Sequence, residues 1–456
     1  MTTIAAIATP LGVGGISVIR LSGPEALQVA GRCFRPFNGE DLAAKPGYTA
    51  CYGRFVHADG SVLDDGVVLV YHAPHSYTGE DVAELSCHGG VYVTRQLLRR
   101  CLECGAVAAQ PGEFTRRAFL NGKMDLTQAE SVMEVIGAQN QQSLRTARAQ
   151  MEGALYRQVV ECKDALLELC AYLSAWADYP EEDIPALEES SLLPNMKEIN
   201  AKFSKLLENY DNGRMLTQGI RTAIVGKPNV GKSTLMNLFS GYQRSIVTDI
   251  AGTTRDVVEE QVQLGDLQLL LSDTAGIRET EDAVEQIGVH FAQERIQQSD
   301  LILAVFDASR PFSSEDRRIV EEVSKQPVPA IAVVHKTDLP AVLDETELGV
   351  GFQQVVHTSV ENAQSLELLQ QAIQQVLHLV QLEEGAAVLA NERQRSCVIR
   401  AKDHLSQAIA AFQAGYTLDA VTVDLTDGVS ALLELTGEKA SDAVVDEVFR
   451  NFCVGK

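Results

Sequence analysis

No stretch of this chain supplies the roughly 20 consecutive apolar residues needed to cross a bilayer. The first residues carry no basic n-region ahead of an apolar segment, so no secretory leader is expected and the expected compartment is the cytoplasm. Paired cysteines are missing as well. The nine cysteines are scattered and odd in number, which argues against a disulfide framework and suits a reducing compartment. Cys101 and Cys104 form one C-x-x-C with no second ligand pair, so they read as two helix positions rather than half a zinc site. Positive charge is also scarce: 38 lysines and arginines face 62 acids, a formal net charge of −24. That argues against broad, sequence-independent nucleic-acid binding, which rests on phosphate neutralisation. Any RNA contact must use a local basic patch or a partner protein.

What is present is a folded protein of more than one domain. At 456 residues, 45% hydrophobic and 22% charged, the chain exceeds one ordinary core, and about two to four domains are expected. Gly226 to Thr234, GKPNVGKST, fits the phosphate-loop pattern G-x-x-x-x-G-K-[ST], with Gly226, Gly231, Lys232 and Ser233 at the defining positions. The glycines let backbone N–H groups turn toward phosphate oxygens, and the helix that follows adds its positive end. Lys232 brings a point charge to the β/γ-phosphates and the Ser233 hydroxyl completes a Mg²⁺ shell. The preceding Thr222-Ala-Ile-Val reads as a buried strand and Ser233–Phe239 as a helix start.

Around that loop the chain changes character three times. Residues 1 to about 120 read as α+β, with strands at Thr3–Ala8, Gly15–Leu21, Gly66–Tyr71 and Leu85–His88, and a helix from Gly89 to Cys104. From Leu126 to Val160 and from Cys162 to Ala177 apolar residues recur at helical spacing, and a further helix spans Leu192–Asn209. The acidic run Asp178–Glu189 between them reads as a solvated loop. Residues 217 to about 380 alternate strands and helices, as a doubly wound sheet requires, with Val257–Leu264 and Leu267–Ser272 as an antiparallel pair. After about 385 the pattern is helical again: Leu389–Phe412, Asp419–Leu435 and Ala440–Phe452. These pieces imply domains at 1–120, at 121–215 joined with 381–456 as one discontinuous all-α domain, and at 216–380 for the inserted nucleotide domain.

Four more elements follow the phosphate loop in the order a GTP site needs. Thr248-Asp-Ile-Ala-Gly-Thr-Thr-Arg255 reads as a first switch, with Thr254 in reach of Mg²⁺. Asp273-Thr-Ala-Gly276 reads as a second, Asp273 holding a Mg²⁺-bound water and Gly276 N–H the γ-phosphate. In His335-Lys-Thr-Asp338 the Asp338 carboxylate accepts from guanine N1–H and N2–H₂, and Thr358-Ser-Val360 closes the base pocket. GTPases of this superfamily usually carry Asn where this chain has His335. The position after Gly276 is Ile277, which cannot orient water, so Glu285 is the candidate water-orienting carboxylate. With no arginine finger evident, Asn229 and the 243–253 loop are candidate oxygen donors to a monovalent cation, which would offset the charge of the transition state.

Those motifs, with Gly12-Val-Gly-Gly-Ile-Ser-Val-Ile-Arg20, Thr78-Gly-Glu-Asp, His88-Gly-Gly, Ala118–Lys123, Asn391-Glu-Arg393 and Cys453-Val-Gly-Lys456, closely resemble the MnmE (TrmE) family of tRNA-modification GTPases over essentially the whole length. The resemblance implies an N-terminal folate-binding-like and dimerisation domain, a discontinuous helical domain and an inserted P-loop G domain. It implies GTP contacts at Asn229, Val230, Gly231, Lys232, Ser233, Thr234, Thr248, Asp249, Ile250, Ala251, Gly252, Thr253, Thr254, Asp273, Thr274, Ala275, Gly276, Lys336, Asp338 and Ser359. Ser233 and Thr254 map to Mg²⁺, and Asn229, Thr248, Ile250 (through its carbonyl) and Thr253 to K⁺. Lys232 and Glu285 map to catalytic groups. Arg20, Glu84, Lys123 and Lys456 map to a 5-formyl- or 5,10-methylene-tetrahydrofolate site, with Cys453 approaching the one-carbon unit. The implied activity is modification of wobble uridine at C5, with an aminomethyl or carboxymethylaminomethyl group. It would be carried out by a homodimer with the FAD protein MnmG (GidA), on tRNA, away from membranes. The alternative is a regulatory GTPase of ribosome or RNA metabolism with no one-carbon chemistry.

Overall fold

The computed structural model describes residues 2–138, 140–178, 189–240, 260–272, 298–362, 364–379, 385–450 and 452–456. The chain divides into two compact units. One comprises Met1–Met133, Gln150–Phe203 and Ser396–Lys456, and the other Glu134–Ala149 and Ser204–Arg395.

The first unit is built on a seven-stranded sheet in the order β3-β4-β5-β6-β2-β1-β7. Its strands are β1 (Ile4–Ile7), β2 (Ile16–Ser22), β3 (Phe34–Pro36), β4 (Thr49–Val56), β5 (Val62–Tyr71), β6 (Val82–His88) and β7 (Val107–Ala108). Period-two alternation sends Ile19 and Leu21 of β2 and Leu85 of β6 to one face, into a core with Val29, Phe34, Phe55 and Leu97. Helices α1 (Ala26–Cys33) and α2 (Val91–Glu103) cover that face. Each such buried side chain contributes about 1.5–3 kcal/mol, and a one-residue slip of β2 would bury Arg20 in place of Ile19 and Leu21. Sequence pattern gave β1, β2, β5, β6 and α2; it missed α1, β3, β4 and β7. In β4 the apolar run Ala50-Cys51-Tyr52 is cut short by Gly53 and Arg54.

The helical expectation needs two corrections. After α3 (Glu113–Leu120), the run from Leu126 to Val160 falls in three helices, α4 (Leu126–Gly137), α5 (Gln141–Met151) and α6 (Ala154–Asp178). The last break is at Gly153, whose φ of +82° is left-handed and ends a helix without steric cost. The helix expected over Leu192–Asn209 is longer, α7 (Glu189–Gln218), and passes straight through Gly213. That glycine is there for close approach: a Cβ on it would lie 2.4 Å from Val388 Cγ1. Elsewhere α6 packs along the helix Leu418–Thr436. Leu126, Ala129 and Val132 of α4 cluster with Val445, Phe449 and Phe452 near the end of the chain. The acidic run's residues 179–188 lie outside the described residues.

In the second unit a six-stranded sheet runs β13-β12-β11-β8-β10-β9. The strands are β8 (Ile220–Val225), β9 (Glu260–Leu264), β10 (Leu267–Ser272), β11 (Leu301–Asp307), β12 (Ala330–His335) and β13 (Gln354–Thr358). All pairs are parallel except β9 with β10. Every residue of β11 and β12 is buried, as central parallel strands require. The helix Ser314–Ser324, which the periodicity did not reveal, starts at a capping box in which Ser313 and Asp316 satisfy each other's N–H.

Candidate functional sites

The phosphate loop joins β8 to α8 (Lys232–Ser240). Its backbone could be built by few other residues. Gly226 has φ +154° and Gly231 φ +107°, and Asn229, which tolerates the left-handed region, sits at φ +64°. A Cβ on Gly226 would come within 2.7 Å of Val305 O, and one on Gly231 within 2.3 Å of His335 Cδ2. Lys232 Nζ lies over the loop, donating to the Gly226 carbonyl and, at 2.9 Å, to the Lys227 carbonyl. Val230 is buried beneath, while Asn229 and Ser233 are exposed and Thr234 is half-buried. The result is a concave backbone with outward N–H groups at a helix N-terminus, which suits a polyphosphate.

Behind the loop stands a brace that sequence reasoning did not name. Lys336, at φ +64°, donates to Asn229 O at 2.9 Å and to Asp307 Oδ2 at 2.6 Å. Burial opposes ionisation of Asp307, but the bonds from Lys336 and Ser309 outweigh it and hold the carboxyl below its ordinary value. Its position at the polar end of an all-apolar strand was the available signal. Lys227 similarly reaches Asp316 Oδ2 at 2.6 Å and Ser313 Oγ at 3.1 Å. His335 is 1% exposed, with Nδ1 2.9 Å from Thr358 Oγ1, and burial and then the Lys336 charge push its pKa down. Asp338 is exposed at the mouth, and the Ser359 N–H donates to Ser365 Oγ at 3.0 Å. Thr248, Asp249, Ile250, Ala251, Gly252, Thr253 and Thr254, with Asp273, Thr274, Ala275, Gly276 and Glu285, lie outside the described residues.

A second cluster lies in the first unit. Arg20 and Glu84 are cross-strand partners of β2 and β6, and the guanidinium meets Glu84 Oε1 at 2.9 Å from Nε and 2.8 Å from its terminal nitrogen. The rings of Tyr77 and Phe114 flank that guanidinium at 5.5 and 5.7 Å. Arg20 also donates to Gly455 O at 3.2 Å, so the end of the chain is seated here. Phe114 N donates to Lys456 O at 3.2 Å and Gly112 N to Cys453 O at 3.4 Å. Gly455, at φ +100°, allows the approach, since a Cβ would fall 2.5 Å from Ile7 O. The Lys456 amine is half-buried, and burial followed by the Arg20 charge pulls its pKa below the ordinary lysine value. Cys453 is exposed. Lys123 is exposed nearby in sequence to α3, its Nζ on Pro74 O at 3.1 Å. Tyr77 and Phe114 lie in Ser76–Gly90 and Pro111–Leu126, two runs that pattern alone reads more often as capped loops than as sites. Cys101 and Cys104 are buried in the core with Cys33, and no group of three or more metal-binding side chains occurs among the described residues.

The loop, its parallel sheet and the His-Lys-Thr-Asp turn define a P-loop GTPase. Two family models match the rest of the chain: "GTP-binding protein TrmE N-terminus" over residues 3–123 and "MnmE helical domain" over residues 126–453. The tRNA modification GTPase MnmE of Thermoanaerobacter sp. (strain X514) is 40% identical over 463 residues, covering 100% of this chain and 99% of that one. The protein of the same description from Carboxydothermus hydrogenoformans is 39% identical over 459 residues, with the same coverage. Among solved structures, Era in complex with MgGDPNP and nucleotides 1506–1542 of 16S ribosomal RNA is 28% identical over 41% of this chain and 66% of that one, with a TM-score of 0.27. The chain belongs to the MnmE (TrmE) family of tRNA modification GTPases. It is a GTP-hydrolysing enzyme with an N-terminal TrmE domain, a helical domain and a G domain, and no helix among the described residues is long and apolar enough to cross a membrane.

Proposed function

We propose that the chain uses GTP hydrolysis to drive C5 modification of wobble uridine in certain tRNAs, with an aminomethyl or carboxymethylaminomethyl product and a tetrahydrofolate one-carbon donor. The observation that carries this reading is the seat of Gly455 on Arg20, which brings Lys456 beside Glu84. Two cations, one carboxylate and two aromatic rings in one cluster suit a ligand with a carboxylate tail and a flat hydrogen-bonding ring. Arg20 and Lys456 would hold the anionic part, Glu84 would accept from the pterin, and Lys123 would add charge at the rim. Cys453, exposed two residues before the seated glycine, would face the one-carbon unit. The bound 5-formyl- or 5,10-methylene-tetrahydrofolate supplies the carbon.

In the G domain, spanning about 216–380 between the two parts of the helical domain, the glycine-built cradle fits a triphosphate. Val230, Gly231, Lys232, Ser233 and Thr234 would hold the phosphates, and Asp338 the guanine edge, with Ser359 behind it and Lys336 bracing the loop. Ser233 and Thr254 would hold Mg²⁺, and Asn229, Thr248, Ile250 and Thr253 a K⁺ that offsets developing charge. Glu285 would orient water, with Asp273 to Gly276 as the second switch. The active form is a cytoplasmic homodimer joined through the first domain and working with an FAD protein of the MnmG type. That partner's positive charge would also relieve the −24 of this chain. The test is nucleoside analysis of tRNA from a strain lacking the protein, where C5-modified wobble uridine should vanish and return with the gene. An unchanged nucleoside profile leaves a regulatory GTPase.

A further inference from the structure

Chain-wide, acids outnumber bases 62 to 38, yet α2 breaks that rule. Its thirteen residues, VYVTRQLLRRCLE, hold three arginines and a single acid, Glu103, in the last turn. Thr94, Leu97 and Cys101 turn into the core, which leaves Tyr92, Arg95 and Arg99 exposed at i, i+3 and i+7 on the outer face. Arg95 makes no hydrogen bond or ion pair with the described residues. At its far end α2 is tied to α1: Arg100 donates to Arg32 O at 3.5 Å and Arg32 to Cys104 O at 2.7 Å. Arg32 is 54% exposed there, and exposed Arg35 follows three residues on. Among the described residues these arginines pair with two acids, Glu25, 3.8 Å from Arg32, and Glu103, which contacts Arg99 and Arg100. Five guanidiniums against two carboxylates leave a surplus of three.

From this we infer that the outer face of α2 and the end of α1 form a surface that grips the sugar-phosphate backbone of the RNA substrate. The inference rests on the tRNA reading above. The sequence's acidity leaves RNA contact to a local basic patch or a partner protein, and this patch is of the first kind. A merely solvated helix face would intersperse both signs at i, i+4 along its length; here the first three turns carry no acid. All five cations are arginine, whose planar fork binds phosphate oxygens in pairs. Arg95 and Arg99 stand about 6 Å apart along the helix axis, one turn, so that each can meet its own phosphate. Tyr92, 75% exposed, offers a ring on which an unstacked base can lie.

The test uses the full chain carrying Arg95→Glu and Arg99→Glu, both exposed and outside the nucleotide and folate clusters. Binding of a fluorescent tRNA is followed by anisotropy between about 50 and 200 mM KCl, a range over which phosphate contacts are strongly weakened. The double variant should bind at least about tenfold more weakly, with a salt slope shallower by about two. GTP hydrolysis and folate affinity should stay at the wild-type level. Arg318→Glu, an exposed charge reversal on the helix Ser314–Ser324, serves as the control for net charge. Unchanged affinity of the double variant, an equal loss in the control, or no saturable tRNA binding by the wild type overturns the inference. Loss of assembly with a partner protein while tRNA affinity stays intact also overturns it. If the nucleoside profile of the deletion strain shows the modification lost while the double variant binds tRNA normally, only this surface fails and the proposed function stands.

Discussion

Single atoms decide much of what happens at both sites. Lys232 bends over its own loop onto two backbone carbonyls, a place a β/γ-phosphate oxygen competes for. Lys232→Ala should therefore abolish GTP binding measured by calorimetry, and retained affinity would remove the loop from the phosphate site. Gly455 is a harsher case. Any side chain there meets the Ile7 carbonyl, and the left-handed backbone adds about 1–2 kcal/mol of strain for an L-residue. Gly455→Ala should weaken 5-formyl-tetrahydrofolate binding by at least about tenfold, since 1.4 kcal/mol is a factor of ten, while GTP turnover is unchanged. Equal folate affinity in the variant would show that the seated tail has no part in the pocket. His335 marks the limit of reading by motif. The sequence showed imidazole where Asn is usual, but only the fold shows its ring edge filling the space above Gly231.

Among elements, the helix Ser314–Ser324 depends on one carboxylate. Asp316 is 1% exposed and shared between its own capping box and Lys227. Removing the lysine leaves a buried charge with only Ser313 to satisfy it, and Lys227→Ala should destabilise the G domain by about 3 kcal/mol in denaturant unfolding. Burial pushes the Asp316 carboxyl up, yet Lys227 and Ser313 win and hold it below the ordinary aspartate value. A depressed acid stabilises the folded state above its unfolded pKa and loses that contribution as pH falls through the folded value. Wild type should therefore lose stability more steeply than Lys227→Ala below about pH 4, and parallel acid limbs would contradict the pairing. The capping box went unread because Phe312, Ser313 and Ser314 look like loop, and Arg317 and Arg318 hide the apolar face. Strands β11 and β12 were legible because burial on both sides leaves an unbroken apolar run. Helical spacing over Leu126–Val160 did not register the breaks between α4, α5 and α6, because each is only two or three residues long.

At the scale of the whole molecule, the phosphate loop could be read from nine residues because its chemistry is local. The Arg20 cluster could not, since its members come from β2, β6, the α3 region and the chain's last residues; only family likeness joined them beforehand. One ionic prediction belongs here. If the phosphate loop and first switch share a monovalent cation, replacing K⁺ with Na⁺ at constant ionic strength should depress GTP turnover about tenfold or more without weakening GTP affinity. Equal rates in the two salts would exclude the cation from hydrolysis.

The Arg20 to Gly455 bond spans 435 positions. During synthesis β2 and β6 can pair early, but the Arg20 contact waits until Gly455 has been translated. A chain cut short before Gly455 thus keeps the strands of the second unit, which end at Thr358, and loses the partner that Arg20 holds.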